Sequence, residues 1–177
     1  MLTEPLLSTL DIRKAAVRDT GVSGVLRPLD LQRFRPLLAA DEGSIQAELS
    51  FSRDEEKHYL VTVEVSADIQ IICQRCLEAM SEHIESTNTL AAVWTDEEAA
   101  QLPRSLDALI LGDESCNLWE LVEDELMLAM RPFSYHDTEE CKNRIKAFSD
   151  PALEEEQGEE KPNPFNVLAQ LKPTSEH

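Results

Sequence analysis

Two cysteines three positions apart, Cys73 and Cys76 in the stretch IICQRCLEAM, have the spacing in this chain best suited to chemistry. A CxxC pair lets both sulfurs face one side of a tight turn, which suits half of a tetrahedral metal site or a thiol redox couple. The chain holds only four cysteines and four histidines, so a second ligand pair has few sources. His136 and Cys141, five positions apart in HDTEEC, form the other close pairing, and Cys116 and His83 are reserve ligands. A structural zinc site built from Cys73, Cys76, His136 and Cys141 is therefore one expectation. A redox reading needs the CxxC at a helix N-terminus, where the dipole lowers a thiol pKa, and a helix starting in LEAM would supply one. Against it, neither an aromatic residue nor a proline accompanies the cysteines and no βαβ pattern precedes them. A hairpin with two small buried residues and no cofactor is the third reading, and the three stay open at this point.

Other catalytic patterns are missing from the sequence. With five glycines in the chain there is no glycine-rich phosphate loop, and neither a nucleophile elbow nor HExxH occurs. His58 and His83 fall in strand-like stretches and read as surface residues. The acids of VEDE, 122 to 125, read as a solvated helix face. The chain is expected not to be an enzyme.

The elements that must position the cysteines follow from periodicity. SIQAELSFS puts Ile45, Ala47, Leu49 and Phe51 on one face, and HYLVTVEVSADIQII alternates in the same way, so both predict antiparallel strands joined by the charged loop RDEEKH. EAMSEHIESTNTLAAVW also carries helical spacing at Leu77, Met80 and Ile84, but a meander turning at the CxxC needs a returning strand. Residues 95 to 115 predict a surface excursion with one short strand, Ala108 to Leu111. The strongest helix signal follows: Asn117 as N-cap with Glu120 in a capping box, a stripe of Trp119, Val122, Leu126 and Met130, and Pro132 as the stop. Upstream, 8 to 19 and 28 to 39 read as short helical or irregular segments around GVSGVLR, an edge strand, with Pro36 breaking any helix through it. The expected fold class is α+β, mainly an antiparallel meander with a few packed helices and a disordered acidic C-terminal tract. Its expected parts are a helical and edge segment at 1 to 43, the sheet and helix core at 44 to 147, an acidic linker at 148 to 162, and a short amphipathic segment at 163 to 177. In that last segment Asn163 can cap and Pro164 can open a helix with Phe165, Leu168 and Leu171 on one side, an apolar anchor for a partner.

Sixteen basic against 35 acidic residues give a net charge of −19 and a pI near 4.4. Such a chain repels polyphosphate, because nucleic-acid affinity comes largely from neutralising phosphates. The acids are unevenly spread: residues 1 to 40 carry six basic and four acidic side chains. Any RNA contact is therefore expected near Arg13, Lys14 and Arg18. No run of about 18 apolar residues is present to span a bilayer, and the start lacks the basic flank and apolar core of a signal peptide. A cytoplasmic location is expected, where a CxxC is more often metal-binding or catalytic than a disulfide.

CQRCLE at 73 to 78, LVEDELMLAMRP at 121 to 132, HDTEEC and KPNPFNVLAQLK at 161 to 172, in that order, resemble the YceD family of large ribosomal RNA subunit accumulation proteins. The resemblance implies a bacterial cytoplasmic protein needed for synthesis, processing or stability of 23S rRNA, with no enzymatic activity. Together with the charge it implies an acidic partner for a basic large-subunit ribosomal protein or a pre-50S particle, with an indirect link to 23S rRNA. The alternatives are a factor that binds rRNA directly, and a CxxC thiol oxidoreductase.

Overall fold

A computed structural model describes residues 4 to 112 and 115 to 146. The acidic linker and the candidate anchor residues Phe165, Leu168 and Leu171 lie outside the described residues.

Alternating apolar residues set the frame. In β3 (Gly43–Arg53), β4 (Tyr59–Ile72) and β5 (Ala79–Val93) every second side chain of the first two is buried, as a one-sided sheet requires. The three strands form an antiparallel meander, Ala47 opposite Val65 and Ile71 opposite Met80. Ahead of them, β2 (Gly21–Leu26) lines the β3 edge, with Val22 opposite Leu49. The segment 1 to 43 thus shares a sheet with the strands that follow it. The free edge of β2 is itself occupied: Val25 N–H donates to Glu4 O at 2.9 Å, and Leu6 N–H donates to Val25 O. Gly24 makes this approach possible, since a Cβ there would lie 2.5 Å from the Leu6 backbone.

The excursion after β5 is more ordered than its sequence suggests. Thr95 caps a short helix, α2 (Asp96–Gln101), by accepting from Glu98 N–H. The chain then returns as β6 (Asp107–Ile110), parallel to β5, with Ala91 opposite Ala108. A crossover connection is what a parallel neighbour demands. The sheet order is β2-β3-β4-β5-β6, so the fold is α+β with a mainly antiparallel sheet. A second small ribbon pairs β1 (Thr9–Asp11) with β7 (Ser115–Asn117).

Helices cover one face of the large sheet. The first, α1 (Ile12–Val17), is capped by Asp11 and buries Ile12, Ala15 and Ala16. The second, α3 (Leu118–Ala129), buries Leu118, Leu121, Val122 and Leu126. Asn117 caps it, accepting from Trp119 and Glu120 N–H, while its own amide donates to the Glu120 side chain in place of the reciprocal backbone bond of a capping box. Residues 28 to 39 form two 3-10 turns, Pro28–Asp30 and Arg35–Leu37, and Pro36 sits at the start of the second, where a missing N–H costs nothing.

The expectation that VEDE is a solvated helix face does not hold. Asp124 is exposed, but Glu123 and Glu125 are buried. Glu123 accepts the backbone N–H groups of Arg33 and Phe34 through one oxygen and the Arg33 Nε at 3.0 Å through the other. Glu125 accepts from the Asn88 amide at 3.0 Å. These carboxylates anchor a loop and a strand onto α3. His58 likewise lies in the β3–β4 turn rather than in a strand, held by Asp54 through its backbone N–H and its ring.

Candidate metal centre

The β4–β5 hairpin turns through Cys73 to Glu78. Cys73 N–H donates to Glu78 O and Leu77 N–H to Cys73 O, both at 2.9 Å, and Leu77 takes φ +61° to close the turn. This knuckle buries Cys73 and half-buries Cys76. The segment after α3 is fastened to it by Gln74, whose N–H donates to Ser134 O at 3.1 Å and whose side chain reaches Pro132 O. That register delivers His136. Thr138 then starts α4 (Glu139–Lys146), its hydroxyl accepting Cys141 N–H in the first turn. Arg144 of α4 ties back to the hairpin through Cys76 O and, at 2.7 Å, the Glu78 carboxylate.

The ligand atoms of Cys73, Cys76, His136 and Cys141 consequently lie within 4.8 Å of one another. Cys73 Sγ is 3.6 Å from Cys141 Sγ, and Cys76 Sγ is 3.3 Å from His136 Nδ1. Three sulfurs and one imidazole nitrogen around one point make a set of donors that could hold a metal ion, with all four positions supplied by the protein.

The thiols are already differentiated. Burial pushes Cys73 up, but the N–H groups of Cys76, His136 and Arg75 aimed at its sulfur outweigh burial and bring it down to about 5. Burial, together with the adjacent Cys73 and Cys76, pushes Cys141 up. The two shifts run in opposite directions at one contact, as expected where like charges this close cannot all ionise unaided. Leu77 leads into β5, so LEAM places no helix N-terminus at the CxxC, which removes the local feature on which the redox reading depended.

The reserve ligands stay apart. Cys116 is buried in β7, where burial and then Glu120 push its thiol up to about 11. His83 sits on the outer face of the sheet between Asp68 at 2.7 Å and Glu85 at 3.1 Å. The three candidate RNA contacts are exposed on and just after α1. Arg13 lies over the Trp94 ring at 3.8 Å and Lys14 pairs with Asp11 at 2.7 Å. The buried carboxylates of α3 and the setting of Trp94 had no signal in the sequence beyond their residue types.

The model of the family described as large ribosomal RNA subunit accumulation protein YceD matches residues 61 to 172, a span that includes all four candidate ligands. The large ribosomal RNA subunit accumulation protein YceD of Haemophilus influenzae (strain ATCC 51907 / DSM 11121 / KW20 / Rd) is 31% identical over 165 residues, covering 93% of this chain and 94% of that protein. No solved structure matches the chain. With a family match that includes the knuckle and the post-helix segment and a relative that covers 93% of the chain, the chain belongs to the YceD family of large ribosomal RNA subunit accumulation proteins.

Proposed function

We propose that this chain is a non-enzymatic cytoplasmic factor of ribosome biogenesis, needed for synthesis, processing or stability of 23S rRNA, that works as an acidic binding partner of a basic large-subunit ribosomal protein. The observation that supports it is the acidic patch on the outer face of the large sheet, where Glu48, Glu64 and Glu85 are exposed among the described residues. Glu48 and Glu64 stand directly opposite each other in the β3–β4 register. With Glu85 they line a shallow depression of about 260 Å³. Like charges paired across strands are destabilising, and among the described residues neither Glu48 nor Glu64 has an ion-pair partner of its own. An external cationic partner relieves that repulsion. In a chain of net charge −19 the same field speeds encounter with a basic protein, and rRNA, being more highly charged, displaces the acidic partner during assembly.

The candidate metal centre fits this non-catalytic role when read as structural zinc. Tetrahedral zinc with sulfur ligands at about 2.3 Å places neighbouring sulfurs about 3.8 Å apart, and a sulfur and a nitrogen about 3.5 Å apart. The observed 3.6 Å and 3.3 Å lie near these values. No position is left open for a substrate. Zinc here would join the hairpin to α4 across 68 residues of chain.

The test is capture of the tagged full chain from lysate at near-physiological salt, with and without nuclease, beside the variant Glu48→Lys/Glu64→Lys. The expected result is nuclease-resistant recovery of one basic large-subunit protein that the variant loses while keeping its circular dichroism. Recovery only of 23S precursor, vanishing with nuclease, would overturn the reading.

A further inference from the structure

At the end of the sheet remote from the cysteines, an aromatic and cationic concavity is built into a strongly acidic molecule. Tyr59 opens β4 opposite Ala92 of β5, and Trp94 follows the end of β5. The fourteen residues of β4 separate this end from the metal corner by about 45 Å at the usual rise per residue. The two rings meet edge to face, 5.5 Å between centroids at 89°. Arg13 from α1 lies over Trp94 at 3.8 Å, and Arg53 lies over Tyr59 at 4.9 Å. Lys57, held at φ +72° in the β3–β4 turn, completes the rim. Arg13, Lys57, Tyr59 and Trp94 line a cavity of about 330 Å³ with Val93, Glu98 and Leu102 in its wall, and Arg53 lies outside that lining.

The negative groups at this site are engaged elsewhere in it. Glu98 accepts Trp94 N–H at 2.7 Å. Asp54 is paired with the His58 ring at 2.7 Å and accepts its backbone N–H at 2.8 Å. Among the described residues Lys57 and Arg13 have no carboxylate partner. A flat anion with an exposed π-face matches such a surface: the Arg13 guanidinium over the indole offers a stacking partner, and Lys57 in the lining offers a cation for a phosphate.

We propose that this pocket binds an unpaired nucleotide of single-stranded RNA, its base stacked on Arg13 over Trp94 and its phosphate drawn to Lys57. The site goes beyond the acidic-escort reading and does not depend on it, because it lies on a different part of the molecule and needs no protein partner. Its small cationic area limits contact to one or two phosphates, so the logarithm of affinity falls with that of salt concentration by a slope of only about −0.7 to −1.4. A duplex is refused because its bases present no free face.

The experiment uses the full chain with Trp119→Phe, which leaves Trp94 as its one indole, titrated with an adenosine octaribonucleotide. The expected result is saturable quenching of Trp94, weakened about tenfold or more by Arg13→Ala or Tyr59→Leu and unchanged by Arg18→Ala. If Trp119→Phe does not fold, anisotropy of a labelled octamer on the unsubstituted chain gives the same comparison. Equal binding by Arg13→Ala and the parent, equal losses in Arg13→Ala and Arg18→Ala, or equal binding of duplex RNA would each overturn the proposal. Free adenosine monophosphate binding as tightly as the octamer would overturn single-stranded RNA as the source.

Discussion

The division of labour among Cys73, Cys76, His136 and Cys141 is set by backbone as much as by sulfur. N–H groups converge on Cys73 and lower it to about 5, while burial pushes Cys141 up. A zinc ion would remove the Cys141 proton and replace a sulfur–sulfur contact by four strong bonds, so metal binding and folding of this corner are coupled. Purified protein is expected to carry about one zinc per chain, and chelator, Cys141→Ser or His136→Ala should each lower the thermal midpoint by roughly 5–15 °C. Metal analysis beside thermal melts checks this. Zinc-free protein with an unmoved midpoint in chelator would end the structural reading, and a redox couple would instead leave His136→Ala silent. These four residues were legible because CxxC is a local pattern and few other ligands exist in the chain. Glu123 was not: its burial depends on Arg33 and Phe34, some 90 residues away in sequence, and a glutamate inside a helix gives no local sign of its partner.

Among the elements, the β4–β5 hairpin carries the most consequence. Its turn puts a leucine, three-quarters exposed, at φ +61°, a conformation in which a Cβ crowds the following carbonyl. Glycine adopts it without that penalty. Leu77→Gly is therefore expected to stabilise the protein by about 0.5–1 kcal/mol once the glycine's greater unfolded entropy is offset, with the denaturation midpoint as the readout. A loss of stability would mean that Leu77 packs against something its exposure does not reveal. β3 and β4 were readable from period two over 11 and 14 residues, whereas β5 followed from the need for a returning partner, and its pairing with β4 from Ala79 to Ala92 overrode the helical spacing of Met80 and Ile84. The parallel return of β6 was not readable, since four residues of DALI carry no information about which edge they join or in which direction.

For the whole molecule, charge is the dominant property. A net −19 on 177 residues means self-repulsion that salt screens over about 8–10 Å. Raising monovalent salt from about 0.02 to 0.5 M should therefore raise the thermal midpoint, the reverse of what a protein held together by surface ion pairs would show. A midpoint that falls with salt would indicate that pairs such as Arg35–Asp41 and Arg144–Glu78 outweigh the repulsion. The long sheet also keeps three regions apart: the cysteine and histidine cluster at one end, the cationic aromatic pocket at the other, and the acidic face between them. Among the described residues no helix is long and apolar enough to cross a membrane.

The sequence by itself determined the alternating strands, the α3 helix with its Asn117 cap, the sign and size of the charge, and the family. Each is a property of neighbouring residues or of a sum over the chain. Only the tertiary structure decided that the cysteine pairs meet, that Glu123 and Glu125 are buried, that β6 runs parallel, and that Arg13 rests on Trp94. Those outcomes depend on contacts closed over tens of residues, where side-chain packing and hydrogen-bond satisfaction select among arrangements that local periodicity leaves equivalent.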